Sequence, residues 1–373
     1  MNFTHDVTIQ SIALYPLNAT GGVSPNMALG QMQVRPALLI KLTDTDGCFG
    51  WGEIWSNFPP RANLHKANLV EDVVEKHLVG ARFSQPEELN QMLRDALSVY
   101  FLHIGQREVF EHILAGIDTA AWDLCLRSAG TNFPDFLGVQ GKAQSYASSL
   151  NPADLEDKLQ DHADLGQSEF KLKIGFETES DIQFVAKAAA SLPPNSQLMI
   201  DSNQSWNLAQ ASEVLKEMEG FKLLFAEEPL RADCPCHEWE TLARNSPVSL
   251  AAGENIYGID KFLEMANSGV KYLQPDVAKW GGVTGALALA EKLPDGCYLW
   301  PHFMGSGVGQ QAGLAVSAAL GKASKCEIDV NVNALRSELC DGALAISQGY
   351  VKLADEQGLV IPPTAAALAR FSP

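Results

Sequence analysis

Seven polar or ionisable residues recur along the second half of this 373-residue chain at nearly even spacing. Lys173, Asp201, Glu227, Glu254, Asp276, His302 and Glu327 follow one another with gaps of 22 to 28 residues. That is about the length of one strand-plus-helix unit. Each closes, or directly follows, a short apolar run. If those runs are parallel strands, all seven side chains collect at one C-terminal rim, the face on which barrel enzymes carry their active sites.

The residue types point to carbon-acid chemistry. Asp201, Glu227 and Glu254 are three hard oxygen donors from three consecutive units. Such a set suits one Mg2+ ion, with positions left for substrate oxygen and water. No Cys or His belongs to the set, which disfavours zinc. In Glu227-Glu228-Pro229 one carboxylate is expected to face inward and its neighbour to pair with a cation. Lys171 and Lys173 lie two apart and so share one strand face, as do Asp201 and Asn203. Asp276 beside His302, on the sixth and seventh strands, would fix the imidazole tautomer and raise its basicity. Lys173 and His302 then flank the metal from opposite sides, one base for each face of a carbon acid. A C–H beside a carboxylate is a very weak acid, and its removal requires metal and hydrogen-bond donors to stabilise the enediolate. Lys173 must be neutral to act as a base, and an ordinary lysine titrates near ~10.4. Lys171, the metal and partial burial are expected to depress it.

The elements that must position these residues follow from the hydrophobic pattern. From about residue 144, eight apolar runs alternate with helical stretches: Tyr146–Leu150, Phe170–Ile174, Gln197–Ile200, Lys222–Ala226, Ser249–Ala252, Val270–Leu273, Cys297–Trp300 and Lys325–Ile328. This pattern predicts an α/β protein with a closed parallel barrel. The first third reads as α+β, with strands over Val7–Leu17 and Arg35–Thr43, a turn at Asp44–Gly47, and helical periodicity over 66–100 and 107–129. Two domains are expected: residues 1–135, completed by 348–373, and the barrel over 140–347.

Composition narrows the function further. With 27 Lys+Arg against 45 Asp+Glu the formal charge is −18, which repels nucleic acid. No apolar run reaches the ~18 residues of a membrane helix, and Met1–Asp6 opens no secretory leader. Seven scattered cysteines fit a reducing, cytoplasmic setting. Cys234-Pro235-Cys236-His237 reads as an ordinary loop. The expected partner is a small carboxylic acid, with neither nucleic acid nor membrane, and the chain is expected to form a homo-oligomer.

The ordered motifs resemble the enolase superfamily, in its mandelate racemase subgroup. They are Lys171-Leu172-Lys173, Asp201-Ser202-Asn203, Glu227-Glu228-Pro229, Gly253-Glu254-Asn255, Gln274 to Val283, and Pro301-His302. Gly50-Trp51-Gly52-Glu53 and Gly116 to Asp123 match in the first third. The resemblance implies a modified (β/α)7β TIM barrel capped by an α+β N-terminal domain. It implies that Asp201, Glu227 and Glu254 bind Mg2+ and that Lys173 and the Asp276–His302 dyad serve the two faces. By the same resemblance Lys171 holds the substrate carboxylate, Glu327 hydrogen-bonds the enediolate, and Asn203 lies near metal and substrate. Specificity would rest on the loops 19–30 and 55–60, where Trp55 and Asn57 are the candidate substrate contacts.

Three enzyme readings follow: dehydration of an acid sugar to a 2-keto-3-deoxy acid, racemisation or epimerisation of a 2-hydroxy acid, and cycloisomerisation of a sugar-acid lactone. The dehydratase leads, because the dyad is intact and the capping loops are polar. A Schiff-base aldolase would not need three carboxylates. A catalytically silent metal-binding barrel should lack a base or a ligand, and none is missing.

Overall fold

A computed structural model describes residues 3–20, 26–27, 30–31 and 34–373. Most of the loop 19–30, expected to govern specificity, lies outside the described residues.

The first third forms a capping layer. The long strands Val7–Thr20 and Val34–Asp44 pair antiparallel, and Phe49–Ile54 adds to the second. The turn between the last two is made by Asp44, whose Oδ1 accepts from Asp46 N at 3.0 Å and Cys48 N at 2.8 Å. Such a side-chain bridge is what Asp supplies in tight turns. The helix Arg107–Ser128 lies on this sheet at unusually close range. A Cβ on Gly52 would stand 1.9 Å from Gly116 O, and one on Gly50 would stand 2.1 Å from Ala120 O. Backbone therefore meets backbone, which only glycine permits.

The periodicity over 66–100 is not one helix. It divides into Ala62–Leu69, a π-turn at Val70–Val74, a last turn at Glu75–Leu78, and then Pro86–His103. Gly80, at φ 84°, stops the first part. Pro86 and a Gln85–Glu88 capping box start the second, as expected for a helix N-terminus.

The barrel strands are β1 (Lys142–Leu150), β2 (Glu169–Lys173), β3 (Gln197–Asp201), β4 (Ala226–Glu227), β5 (Leu250–Ala252), β6 (Val270–Leu273), β7 (Tyr298–Leu299) and β8 (Cys326–Asp329). They are parallel and pair in sequence order, and β8 returns to β1. Glu327 N donates to Pro301 O at 3.2 Å and links the ring between β7 and β8. The fourth run is strand only at Ala226–Glu227, because Lys222 takes a left-handed φ of 52° after a 3-10 turn. Helices α1 (Leu155–Asp164), α2 (Thr178–Ser191), α3 (Leu208–Glu217), α4 (Cys236–Asn245), α5 (Ile259–Asn267), α6 (Gly282–Ala290) and α7 (Gly307–Leu320) follow β1 to β7 in turn. After β8 comes only the short turn Ala334–Ser337, so the architecture is (β/α)7β.

Inside the ring, Tyr146, Met199, Phe225, Ala251, Tyr272 and Trp300 form an apolar floor. The strand Tyr350–Lys352 pairs antiparallel with the start of β1. Beyond it, Leu359 and Val360 donate backbone N–H groups to Asp123 of the cap, and the helix Ala365–Phe371 packs on the strand Val7–Thr20.

Candidate active site

Above the apolar floor, the parallel register places the strand-end residues side by side. Lys173 pairs with Asp201, and Asp201 with Glu227. Lys171 and Lys173 are both buried and both point inward. Lys171 Nζ lies 2.5 Å from Glu227 Oε2 and 2.8 Å from Glu327 Oε1, while Lys173 Nζ donates to Asp201 Oδ2. Gln274 Nε2 donates to Glu227 Oε2 at 2.6 Å, and Ser148 Oγ donates to Glu327. Asn203 turns back at φ 44°, and its N–H meets Asp201 Oδ1 at 2.8 Å.

His302 stands on the other side of this cluster. Its Nδ1 is 2.9 Å from Asp276 Oδ2, whose Oδ1 is held by Ala278 N–H. Its Nε2 lies 2.8 Å from Glu254 Oε2, close enough for an ion pair although not aligned as a hydrogen bond. His302 Nε2 also lies 3.7 Å from Glu327 Oε2, which joins the Lys171 and His302 groups into one largely buried charge network, with Lys173 and Asp201 adjoining it on the neighbouring strand ends.

Electrostatics within the network corrects one expectation. Burial and Lys171 pull Lys173 down, but Asp201, Glu227 and Glu254 outweigh them and hold its ammonium above the usual range. The protein's own groups thus favour the charged form of Lys173, and depressing it falls to the added charge of a metal. His302 behaves alike: burial opposes its proton, and Glu254, Glu327 and Asp276 raise it well above the ordinary imidazole value. Burial pushes Glu327 up, yet Lys171 and His302 bring it down to about 2. Burial, with Asp201 next, raises Glu227 to about 7.

A second correction concerns Glu228. It takes φ 42°, so strand alternation ends at Glu227 and Glu228 also reaches the rim. Its partner is an amide, not a cation: Asn255 Nδ2 donates to it at 2.9 Å and to Glu254 at 3.0 Å. Burial, then the Glu254 charge, pushes Glu228 well above the carboxylate range.

As the side chains stand, no group of three ligating residues converges among the described residues. Each of the three expected ligands is turned to a protein cation: Asp201 to Lys173, Glu227 to Lys171, Glu254 to His302. The donor set nevertheless fits a hard divalent ion. Asp201 and Glu227 end adjacent strands, Glu254 stands two residues beyond the next one, and the buried Glu227 Oε1 has no hydrogen-bond partner. Oxygen-only chemistry of this kind matches Mg2+.

Two families of known proteins match the chain. Residues 18–138 fit the mandelate racemase/muconate lactonizing enzyme N-terminal domain, and residues 154–367 fit the enolase C-terminal domain-like family. The chain belongs to the enolase superfamily, in its mandelate racemase subgroup. A solved mandelate racemase/muconate lactonizing enzyme from Bordetella bronchiseptica is 34% identical, with a TM-score of 0.90 over 98% of this chain and 100% of that one. The D-galactarolactone cycloisomerase of Agrobacterium fabrum is 27% identical over 356 residues, 90% of this chain and 91% of that protein. The D-galactonate dehydratase of Verminephrobacter eiseniae is 28% identical over 270 residues, 68% of this chain and 67% of that protein. The protein is an enzyme of the lyase or isomerase type, and Mg2+ is the metal expected of this superfamily.

In this superfamily member the cap closes the rim into a cavity of about 1330 Å3. Trp55 and Asn57 both line it. Trp55 N–H donates to Ala278 O at 3.2 Å, and Asn57 Nδ2 donates to Met304 O, so each is tied to the turn after a dyad residue. Two cap carboxylates act on the same turns. Glu53 accepts from Ser306 N at 3.0 Å, Ser306 Oγ at 2.5 Å and Gly309 N at 3.0 Å, at the start of α7 after His302. Asp118 accepts from Thr284 N at 3.0 Å, at the start of α6 after Asp276. A carboxylate at a helix N-terminus meets unpaired N–H groups and the positive end of the dipole. The cap therefore braces both halves of the Asp276–His302 dyad. The motifs contained Glu53 and Asp118, but spacing alone assigned them no role. Lys279 lay in one of these motifs without a role, and Tyr257, which also lines the cavity, was missed, as were Lys66 and His112 beside Trp55.

Proposed function

We propose that this enzyme removes the proton α to the carboxylate of a sugar acid and then expels the β-hydroxyl, giving a 2-keto-3-deoxy acid. One observation carries the reading: Lys173 and the Asp276–His302 dyad stand on opposite sides of a single carboxylate cluster, so a substrate bound there meets a proton-transfer group on each face.

The residues divide the work. Lys171, between Glu227 and Glu327, presents a fixed positive charge to the substrate carboxylate. Lys173 or His302 takes the α-proton, and His302, kept in its tautomer by Asp276, gives a proton to the departing hydroxyl so that water leaves. Glu327 hydrogen-bonds the enediolate, and Asn203 orients the substrate beside Asp201. Trp55, Asn57 and the cap exclude water from the reacting carbon. Asp201, Glu227 and Glu254 would hold Mg2+, whose positive charge would stabilise the enediolate. The enol released by water loss then tautomerises to the ketone.

A second reading, cycloisomerisation of a sugar-acid lactone, is favoured by the cycloisomerase relative, which matches over nine-tenths of both chains. Incubating the Mg2+-loaded protein with acid sugars and their lactones in D2O separates the two. Dehydration yields a 2-keto acid that traps semicarbazide. Cycloisomerisation, with the ring oxygen as the leaving group, yields an open-chain 2-keto acid isomeric with the lactone, so the mass of the product, one water lighter than the substrate only after dehydration, tells the two apart. Failure of every 2-hydroxy acid tested to exchange its α-proton would remove both readings.

A further inference from the structure

Two buried lysines flank Trp55, Lys279 lining the cavity and Lys66 in the cap, and proton transfer has no use for either. Lys279, in the turn after β6, lines the cavity and is 5% exposed. Its Nζ donates to Asn255 Oδ1 at 2.7 Å. Lys66, in the cap helix Ala62–Leu69, is 3% exposed. Its Nζ donates to the Trp55 carbonyl and to His112 Nδ1 at 2.9 Å. Each Nζ lies 4.7 Å from the Trp55 ring centroid. Among the described residues neither lysine pairs with a carboxylate, and the remaining residues contain no Asp or Glu.

A buried cation without a counter-charge is costly and is normally paired. This chain has 45 acidic residues against 27 basic ones, so a shortage of acids does not explain the gap. Two other cations that line the cavity are matched: Arg231 with Asp233 and Lys261 with Glu264, each at 2.6 Å. Glu108 stands only at the exposed mouth, and Glu254, whose carboxylate Lys279 favours, is separated from Lys279 Nζ by the Asn255 amide. Burial, then Lys279, pushes Lys66 down to about 7, a penalty that an arriving anion would relieve.

A neighbouring hydrogen-bond chain supplies a second donor. Burial, with Lys66 and Lys279 beside it, keeps His112 neutral. With Lys66 charged, its ammonium can only donate, so His112 Nδ1 then accepts and the ring proton sits on Nε2. That N–H then donates to Tyr257 Oη at 3.0 Å. The Tyr257 hydroxyl hydrogen is left for an acceptor in the cavity that Tyr257 lines.

We propose that the Trp55 end of the cavity binds a second carboxylate of the substrate, through Lys279 Nζ and Tyr257 Oη, and that the substrate is therefore a sugar acid with a carboxylate at each end. The inference builds on the reading under Proposed function and narrows it. Two donors lining one cavity, one of them cationic, suit the two oxygens of a carboxylate.

Calorimetric titration of the Mg2+-loaded protein with hexarates and stereochemically matched hexonates tests it. The wild type should bind its preferred hexarate about 10- to 100-fold tighter than the matched hexonate. Lys279→Met should erase most of that ratio. Tyr257→Phe, which leaves Asn255 and Glu254 untouched, should reduce it by about 3- to 10-fold. Equal affinity for the two acids, a ratio intact in both variants, or no binding of any hexarate would overturn the proposal. A hexarate that binds through these residues but never exchanges its α-proton in D2O would leave this site standing and remove the proposed reaction. Exchange of hexonates and hexarates alike would do the reverse.

Discussion

Glu53→Gln is expected to cancel a pH dependence that the native protein owes to one buried carboxyl. Burial raises Glu53 from 4.5 to about 7, against the pull of the Ser306 and Gly309 hydrogen bonds. A carboxyl whose folded pKa lies above its unfolded value keeps its proton longer in the native state. The native state is therefore favoured below the unfolded value and loses that advantage as pH rises from 4.5 through about 7. Integrating the two titrations between pH ~5 and ~8 gives a loss of about 2.5 kcal/mol. Glutamine does not titrate, so the variant escapes this loss, whatever constant offset its altered hydrogen bonds introduce. Urea unfolding followed by tryptophan fluorescence at several pH values, with Trp51 two residues from the substitution, supplies the comparison. The stability gap between wild type and variant should shift by about 2.5 kcal/mol in the variant's favour from pH ~5 to ~8. Parallel profiles would show that Glu53 titrates alike in both states and would refute the argument.

Three further outcomes are expected. Lys173→Ala and His302→Asn should each lower turnover by at least about 10²-fold while calorimetric Mg2+ binding persists; near-full activity in either would remove that residue from proton transfer. Asp201→Asn should weaken Mg2+ binding by at least about tenfold, and unchanged affinity would take Asp201 out of the ligand set. Gly52→Ala sets a methyl 1.9 Å from Gly116 O, an overlap that should cost about 1–3 kcal/mol; an unshifted melting temperature would contradict the backbone contact.

The rim of the barrel was legible because parallel units impose a rule. Each strand end delivers one side chain to the same place, so regular spacing from Lys173 to Glu327 already implied a shared site. The dyad followed for the same reason, Asp276 and His302 bridging as neighbours. What remained hidden obeys no such spacing. Glu228 breaks alternation through a left-handed backbone that Glu does not advertise. The charge state of Lys173 depends on how close Asp201 stands, which sequence cannot measure. Lys66, His112 and Tyr257 come from a cap helix, a second cap helix and a barrel loop that meet only in three dimensions. The run from 66 to 100 kept its apolar period across Gly80 and Pro86, so periodicity extended a helix that the punctuation should have cut.

The glycine seam between the strand Phe49–Ile54 and the helix Arg107–Ser128 has a bearing on how such enzymes diversify. Glu53 and Trp55 leave the same short strand, one toward the turn that carries His302 and the other toward the far wall of the cavity. Their height above the reacting carbon is therefore set by the thickness of one backbone-on-backbone joint. Thickening that joint by a single methyl would tilt the wall and the brace together. A change of substrate range could thus arise at Gly50, Gly52 or Gly116, positions that no ligand ever touches, and a search for such mutations confined to the cavity would overlook them.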